Sequence, residues 1–377
     1  MQKSRAFQDL SLIFTIFSMF FGAGNAVFPL LLGVSLQDQV TWGSLGILGS
    51  GILLPLLGVF AVCLCNGSIQ NFLGPIGKLA SQLISVVLIL LLGPVVTLPR
   101  CITIAHASLE AYLPSLSLGI FSIIFCLLCF ICLLRPSFVT TVLGRILSPA
   151  LVCCLLATIA FGLDKVPSSN PTPALSAIFE GFQTGYNTLD LLAAIFFAPT
   201  IWILHKDSGE KRPLRKRVIR NSTISFLILS GIYYGLAKVS AGYAFELQDS
   251  PHQSILASLS ILVLGDRGAL LANTAIVLAC LTTVVGLTLT LSLWLGTNFN
   301  LKKQKTNYSI ILLISCIVAQ CGFSGIMKLL GPIVLVIYPA MIAFTIWSIW
   351  NSLTAKQKSH PIERESLDLV TLAGRNK

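Results

Sequence analysis

Long apolar runs alternate with short polar spacers along most of the chain. Runs of about twenty residues, enough to span a bilayer as helix, lie near residues 9–33, 43–65, 79–109, 117–134, 142–163, 176–204, 219–243, 268–296, 308–324 and 327–351. This pattern predicts an all-α integral membrane protein of about ten transmembrane helices, with a polar tail from Thr354. The charged start Met1–Arg5 superficially resembles a signal peptide. The apolar run behind it continues too far, and no small-x-small cleavage site follows, so it reads as the first transmembrane helix.

Composition agrees with that reading. Charged residues make up 10% of the chain, against about 25% in soluble domains, and the mean hydropathy is +0.87. A nucleic-acid module, a disulfide-stapled secreted domain and a disordered chain are excluded. The net charge of +11 is a topological signal, because cytoplasmic loops collect Lys and Arg. With the N-terminus inside, the inner side holds Lys3, Arg5, Lys78, Arg135 and Arg145. It also holds the dense loop Lys206, Lys211, Arg212, Arg215, Lys216, Arg217 and Arg220, then Lys302, Lys303 and Lys305. The outer loops keep Lys165, Lys238, Arg267 and Lys328, beside Asp38, Glu110, Asp164, Glu246, Asp249 and Asp266. Ten helices with both ends in the cytoplasm follow, and no nucleic-acid partner is needed.

Eleven cysteines invite a metal or redox reading, above all Cys126, Cys129 and Cys132, whose step begins some iron–sulfur motifs. That run sits inside an apolar stretch with no further Cys before Arg135–Pro136. The cysteines therefore read as small hydrophobic packing residues, and no organic cofactor is expected.

Two spanning segments carry residues that allow a helix to unwind. The first is Phe20–Pro29, with Gly22, Gly24 and Pro29 in mid-span; the second is the polar stretch Gly181–Asp190. In lipid a helix opens only where its freed backbone groups face protein or water. The two segments fall in the first and sixth helices, which divides the chain into two halves of five. An odd number of helices per half makes the second half run inverted, and matched breaks in inverted halves point to a transporter's midplane site. The competing reading is that the glycines serve close helix packing. At a break, helix N-termini offer N–H groups to a carboxylate, and C-terminal ends offer carbonyls to an ammonium group or to Na⁺. An α-amino acid carries both charges. Phe20, Phe21, Phe182 and Tyr186 alongside suit an apolar side chain.

In the eighth helix, Thr282 and Thr283 are adjacent hydroxyls, with Ala279 one turn earlier. They form a candidate uncharged oxygen site for Na⁺; the alternative is that each Thr bonds its own i−4 carbonyl, as is expected of Thr288 and Thr290. Asp190 and Arg100 are the clearest intramembrane acid and base, and such residues are functional hypotheses by default. They are expected to approach one another near the outer mouth of the site, as a gate or as a structural pair. Glu180 is either a proton carrier or a solvated residue at the start of the sixth helix.

Phe21-Gly22-Ala23-Gly24-Asn25, Gly93-Pro94 with Pro99-Arg100, Gly185-Tyr186-Asn187-Thr188-Leu189-Asp190, Ala279-Cys280-Leu281-Thr282-Thr283 and Ile337-Tyr338-Pro339 occur in this order. As an ordered set spanning nearly all of residues 7–351, they resemble the bacterial branched-chain amino acid:cation symporters, the leucine–isoleucine–valine carriers. The resemblance implies a LeuT-type five-plus-five inverted repeat, with halves at 1–165 and 166–353 and a polar cytoplasmic tail at 354–377. It also implies a location in the bacterial cytoplasmic (inner) membrane and uptake of Leu, Ile and Val with Na⁺ or H⁺.

By the same resemblance, Gly22, Ala23, Gly24 and Asn25, with Gly185, Tyr186, Asn187 and Thr188, would hold the substrate. The carbonyls of Ser18, Phe21 and Ala279, with Thr282 and Thr283, would hold Na⁺. The chain departs from the family in length, since typical members carry two further, peripheral helices after the tenth; no oligomeric state follows. Asn187 stands where the family usually has an apolar residue, which would broaden the pocket toward amino acids such as Met. The alternative reading is an H⁺-coupled symporter or exchanger for a wider set of apolar amino acids. A membrane-embedded enzyme lacks a visible cluster of His, Asp or Glu. A channel lacks a ring of charge or a filter loop.

Overall fold

Inside lipid every backbone N–H and C=O needs a partner from the chain itself, and the apolar runs meet that need as helices. The computed structural model describes residues 2–110, 112–134, 148–206, 213–299, 301 and 303–373. Arg135, Arg145, Lys211, Arg212 and Lys302 lie outside the described residues, and Lys3, Arg5, Ala23 and Gly24 are described by backbone alone. Among the described residues there is helix and no strand.

The helices are α1 (Gln2–Phe20), α2 (Ala23–Leu36), α3 (Val40–Leu48), α4 (Leu54–Leu64), α5 (Ile69–Leu73), α6 (Lys78–Leu92), α7 (Thr97–Glu110) and α8 (Leu118–Leu133). They continue as α9 (Ser148–Gly162), α10 (Ala174–Tyr186), α11 (Asp190–Lys206), α12 (Leu214–Gly242), α13 (Ala244–Leu247), α14 (Ile255–Phe299), α15 (Gln304–Ala319) and α16 (Gly322–Ala373). Five helical stretches are long and apolar enough to cross a membrane, and the pair α10–α11, bent by 45° at its break, makes a sixth. The surface of α8 shows what surrounds them: Ile123, Leu127 and Ile131 are each more than half exposed, an apolar stripe that suits lipid tails rather than water.

Helix interruptions differ from the sequence expectation in three places. The run 79–109 is not one helix, because Gly93-Pro94-Val95-Val96 separates α6 from α7; Pro94 lacks the N–H a continuous helix would use. The run 268–296 starts earlier, at Ile255, and bends at Gly265, whose φ of 66° only glycine adopts freely. A π-helical turn, Gly49–Leu53, joins α3 to α4.

Packing is set by small residues. A Cβ built on Gly181 of α10 would fall 1.9 Å from the carbonyl oxygen of Gly43 on α3, and one on Gly46 would fall 2.0 Å from that of Ile178. These glycines bring α3 and α10 into backbone contact. Elsewhere α2 packs on α12, α4 on α11, α7 on α14, α8 on α15 and α9 on α14.

At the Lys/Arg-rich end of the bundle, Asp9 of α1 pairs with Arg220 of α12 at 2.5 Å. Asn221 Nδ2 lies 3.3 Å from Asp9 Oδ1 and 3.1 Å from His205 Nε2 at the end of α11. Ser225 Oγ donates to the Ile13 carbonyl at 2.7 Å. These bonds close that end of the bundle.

The glycine seam is directly testable. Gly181→Ala should lower stability by about 1–3 kcal/mol, the usual cost of overpacking. Gly231→Ala on α12, where a Cβ meets nothing within 4 Å, should raise stability by about 0.5–1 kcal/mol. Thermal unfolding of the purified variants in detergent checks the pair; equal melting temperatures would refute the close seam.

Candidate functional site

The first break is narrow. Phe21 and Gly22 separate α1 from α2; Gly22 takes extended backbone (φ −98°, ψ 156°) and caps α2 without a side chain. Phe21 N–H still reaches the Phe17 carbonyl at 2.7 Å, and Asn25 N–H bonds the Gly22 carbonyl at 2.9 Å. Gly24 and Pro29 lie inside α2. A glycine cap offers no side-chain acceptor to the first turn of α2, where the Asn25 N–H is met instead by the Gly22 carbonyl.

The second break lies later than the expected Gly181–Asp190. Helix α10 continues to Tyr186, and only Asn187–Leu189 leave helical structure. Gly181 and Gly185 were included in the expected break, but they serve packing: a Cβ on Gly185 would sit 1.9 Å from Ser50 Oγ. The turn is completed by N–H bonds from Asn187 to Thr184, Thr188 to Gly185 and Leu189 to Tyr186, at 3.1–3.3 Å. Leu189 has φ of 61°, a left-handed conformation that costs a non-glycine residue roughly 1–3 kcal/mol. Helix α11 then begins with borrowed caps. Asp190 N–H bonds Thr188 Oγ1 at 3.3 Å, and Leu191 N–H bonds the Tyr338 hydroxyl of α16 at 3.0 Å.

One side chain joins the two breaks. Asn25 Nδ2 donates to the Phe20 carbonyl at 2.9 Å and to Asp190 Oδ1 at 2.7 Å. Its oxygen faces Arg100 Nη2 at 3.4 Å. Arg100 Nη1 donates to the Asn187 carbonyl at 2.8 Å, and its guanidinium lies 4.9 Å from the Phe28 ring centroid, close enough for cation–π attraction. Asp190 Oδ2 accepts from the Tyr233 hydroxyl at 3.2 Å. Arg100 and Asp190 are each 1% exposed. The expected approach of the two charges is therefore mediated: Asn25 stands between them and uses both of its amide donors.

The threonines gather three oxygens. Thr282 Oγ1 and Thr283 Oγ1 donate to the Ala279 carbonyl at 2.7 and 2.9 Å. These are the bonds expected of ordinary helical threonines, yet each hydroxyl keeps lone pairs for another partner. Thr283 faces the first break, since a Cβ on Gly22 would lie 3.3 Å from its Oγ1. Ser18 keeps its own hydroxyl on the Thr15 carbonyl. Of the other two threonines, Thr290 bonds the Gly286 carbonyl as expected. Thr288 Oγ1 is buried and has no partner among the described residues.

Sequence reasoning missed Tyr233, Phe28 and Ser50, whose hydroxyl donates to the Phe182 carbonyl at 2.7 Å from within the π-helical turn. Tyr338 entered only as part of a motif; here it caps α11 and stacks on Tyr186 with ring centroids 4.5 Å apart. The one available signal was its place in an otherwise apolar run.

The bridge generates two expectations for stability. Asn25→Ala leaves two buried charges short of partners and should destabilise by about 3–5 kcal/mol. Tyr233→Phe removes one bond to a carboxylate, worth about 1.5 kcal/mol. Denaturant unfolding checks both, and an Asn25→Ala effect no larger than that of Tyr233→Phe would refute the bridging role.

Comparison with known proteins gives the site its context. The profile of the family described as "Branched-chain amino acid transport protein" matches residues 6–367. The branched-chain amino acid permease BraB of Bacillus subtilis is 29% identical over 375 residues, covering 95% of this chain and 83% of its own length. The permease BrnQ of Corynebacterium glutamicum is 26% identical over 347 residues (91% and 81%). BrnQ of Escherichia coli K12 is 28% identical over 353 residues (91% and 80%). With a profile match over nearly its whole length and bacterial permeases as relatives, this multi-pass membrane chain belongs to the branched-chain amino acid transport protein family.

Proposed function

We propose that the protein imports Leu, Ile and Val by Na⁺ symport with alternating access, across a bacterial inner membrane with both termini cytoplasmic. The observation that carries this reading is the Asn25–Asp190 bond, which places the break of the first segment against the break of the sixth. The N-terminal end of α2, behind the Gly22 cap, then suits the substrate carboxylate, and the carbonyl end of α10 at Gly185–Thr188 suits its ammonium. Tyr186 and Phe20 lie beside the break for an aliphatic side chain. Ala279, Thr282 and Thr283 supply oxygens against Gly22 for the ion, joined by the carbonyls of Ser18 and Phe21.

Packing supports an inverted repeat of residues 1–165 and 166–353. If each spanning unit of the first half is exchanged with the unit five places on, contacts map onto contacts. The pair α2–α12 answers α4–α11, α9–α12 answers α4–α16, α7–α15 answers α8–α14, and α9–α14 answers α7–α16. A twofold relation in the membrane plane accounts for that correspondence. The state fits an outward-facing carrier: the Lys/Arg-rich end is closed by Asp9, Arg220, Asn221 and His205, and that end is cytoplasmic by the charge rule.

One observation favours H⁺ coupling as a second reading. Asp190 is buried, bonded to Tyr233 and Asn25, and separated from Arg100 by the Asn25 amide, an arrangement a protonated carboxyl can also occupy. This reading keeps the wider set of apolar amino acids, Met included.

Proteoliposome uptake of labelled leucine under an imposed Na⁺ gradient, an H⁺ gradient or neither separates the two. Under the main reading, Na⁺ drives uptake that valine blocks, and Thr282→Ala/Thr283→Ala loses the Na⁺ dependence. Uptake driven by H⁺ alone and lost in Asp190→Asn would move the coupling role to Asp190. Folded protein that takes up no apolar amino acid under any gradient would overturn the substrate assignment.

A further inference from the structure

A cavity of about 410 Å³ opens at the end of the bundle opposite the Asp9–Arg220 closure, between α2, α10 and the start of α14. That volume equals roughly fourteen water volumes, room for a leucine-sized molecule with its water. Its apolar lining includes Leu31, Leu32, Ile255, Phe323 and Met327. The polar lining residues are Glu180, Thr184 and Asn187 from α10 and its end, Ser35 at the end of α2, and Gln248, Ser250 and His252. The lining also includes Phe28, whose ring lies under the Arg100 guanidinium, and the Asn187 carbonyl accepts from Arg100. The cavity thus abuts the residues that hold the two breaks together.

Its charge is one-sided. Glu180 is the one carboxylate of the lining; no Lys or Arg lies among the lining residues, and the one basic side chain there is His252, whose ring packs on Phe323. The protein partner of this carboxylate is the neutral Ser35 hydroxyl, which donates to Oε1. Glu180 is half-buried in an open recess, so its carboxylate stays reachable from solvent with its charge not neutralised by a Lys or Arg of the lining. A ligand that brings a positive group to Glu180 and an aliphatic group to the apolar lining residues uses both features of the recess. A bare metal ion would use the carboxylate and leave the apolar lining residues unfilled.

We infer that this cavity is a recognition site that captures aliphatic amino acids by their ammonium group on Glu180, before they reach the paired breaks. The site rests on the transport reading for its place in a reaction sequence, but its ligand chemistry is independent of it. Recognition here needs the ammonium and the branched side chain. The carboxylate is left free to engage the α2 N-terminus in the next step. Glu180 is then a specificity residue that selects for an amino group, and the proton-carrier role considered from sequence is not needed for it.

The test uses the full-length protein in lipid nanodiscs and two fragments of leucine. Isopentylamine keeps the ammonium and lacks the carboxylate; 4-methylpentanoate is the reverse. Wild-type protein should bind the amine, and bind the acid more weakly by about tenfold or more. Glu180→Gln should lose amine affinity by on the order of tenfold or more with an unchanged melting temperature, whereas Ser35→Ala should retain it. Met327→Trp, which fills space beside the apolar lining and leaves Glu180 in place, should lose amine binding as well; it decides the matter if Glu180→Gln is poorly folded. No amine binding to wild type, equal binding of amine and acid, or undiminished amine binding in both variants would overturn the proposal. The two readings fail separately. Amine capture without leucine uptake sinks the transport assignment alone, and leucine uptake with an indifferent Glu180 sinks the capture site alone.

Discussion

The Asn25 amide is the interaction on which the rest of the structure depends. Two interrupted helices inside a bilayer leave backbone groups that lipid cannot solvate, and a buried Arg and Asp add two charges that it cannot solvate either. Asn25 answers both demands at once. It ties the Phe20 carbonyl at the end of α1 to Asp190 at the start of α11, and its oxygen faces Arg100. Arg100 in turn holds the Asn187 carbonyl of the second break. Each opened backbone segment is therefore anchored by the other. An amide suits this position because it donates to the acid while accepting from the base, which neither a carboxylate nor an ammonium does.

The surrounding elements serve that junction. Glycines at Gly43, Gly46 and Gly181 let α3 and α10 approach until backbone meets backbone, and Gly185 makes room for the Ser50 hydroxyl of the π-helical turn. Tyr338 supplies the cap that α11 lacks, and Tyr233 completes the carboxylate. Leu189 accepts a left-handed backbone so that the chain can turn between α10 and α11; the caps on either side hold that strained residue in place. At one end of the bundle Asp9 and Arg220 draw α1 onto α12. At the other, a cavity opens beside the junction.

Much of this was legible in the sequence, and the rest failed for identifiable reasons. Apolar runs announce helices because a bilayer demands about twenty consecutive apolar residues, a signal carried wholly by local composition. Gly22 marked the first break for the same local reason. Gly181 and Gly185 misled because glycine means either an opened helix or a close neighbour, and only the position of α3 decides between them. Arg100 and Asp190 stood out as intramembrane charges, but the residue between them did not, since Asn25 sits seventy-five positions from one and 165 from the other. Tyr233, Ser50 and Tyr338 likewise act from within apolar runs, across 43, 132 and 147 positions. The Pro94 interruption was available locally and was masked by the length of the apolar run around it.

The most direct measurement is an experimental structure of the protein with leucine and NaCl present. The account predicts leucine with its carboxylate at the Gly22–Asn25 end of α2 and its ammonium at the Gly185–Thr188 end of α10, beside the Asn25–Asp190 bridge. Leucine bound with both breaks empty, or an Asn25 side chain that joins neither Asp190 nor Arg100, would contradict it.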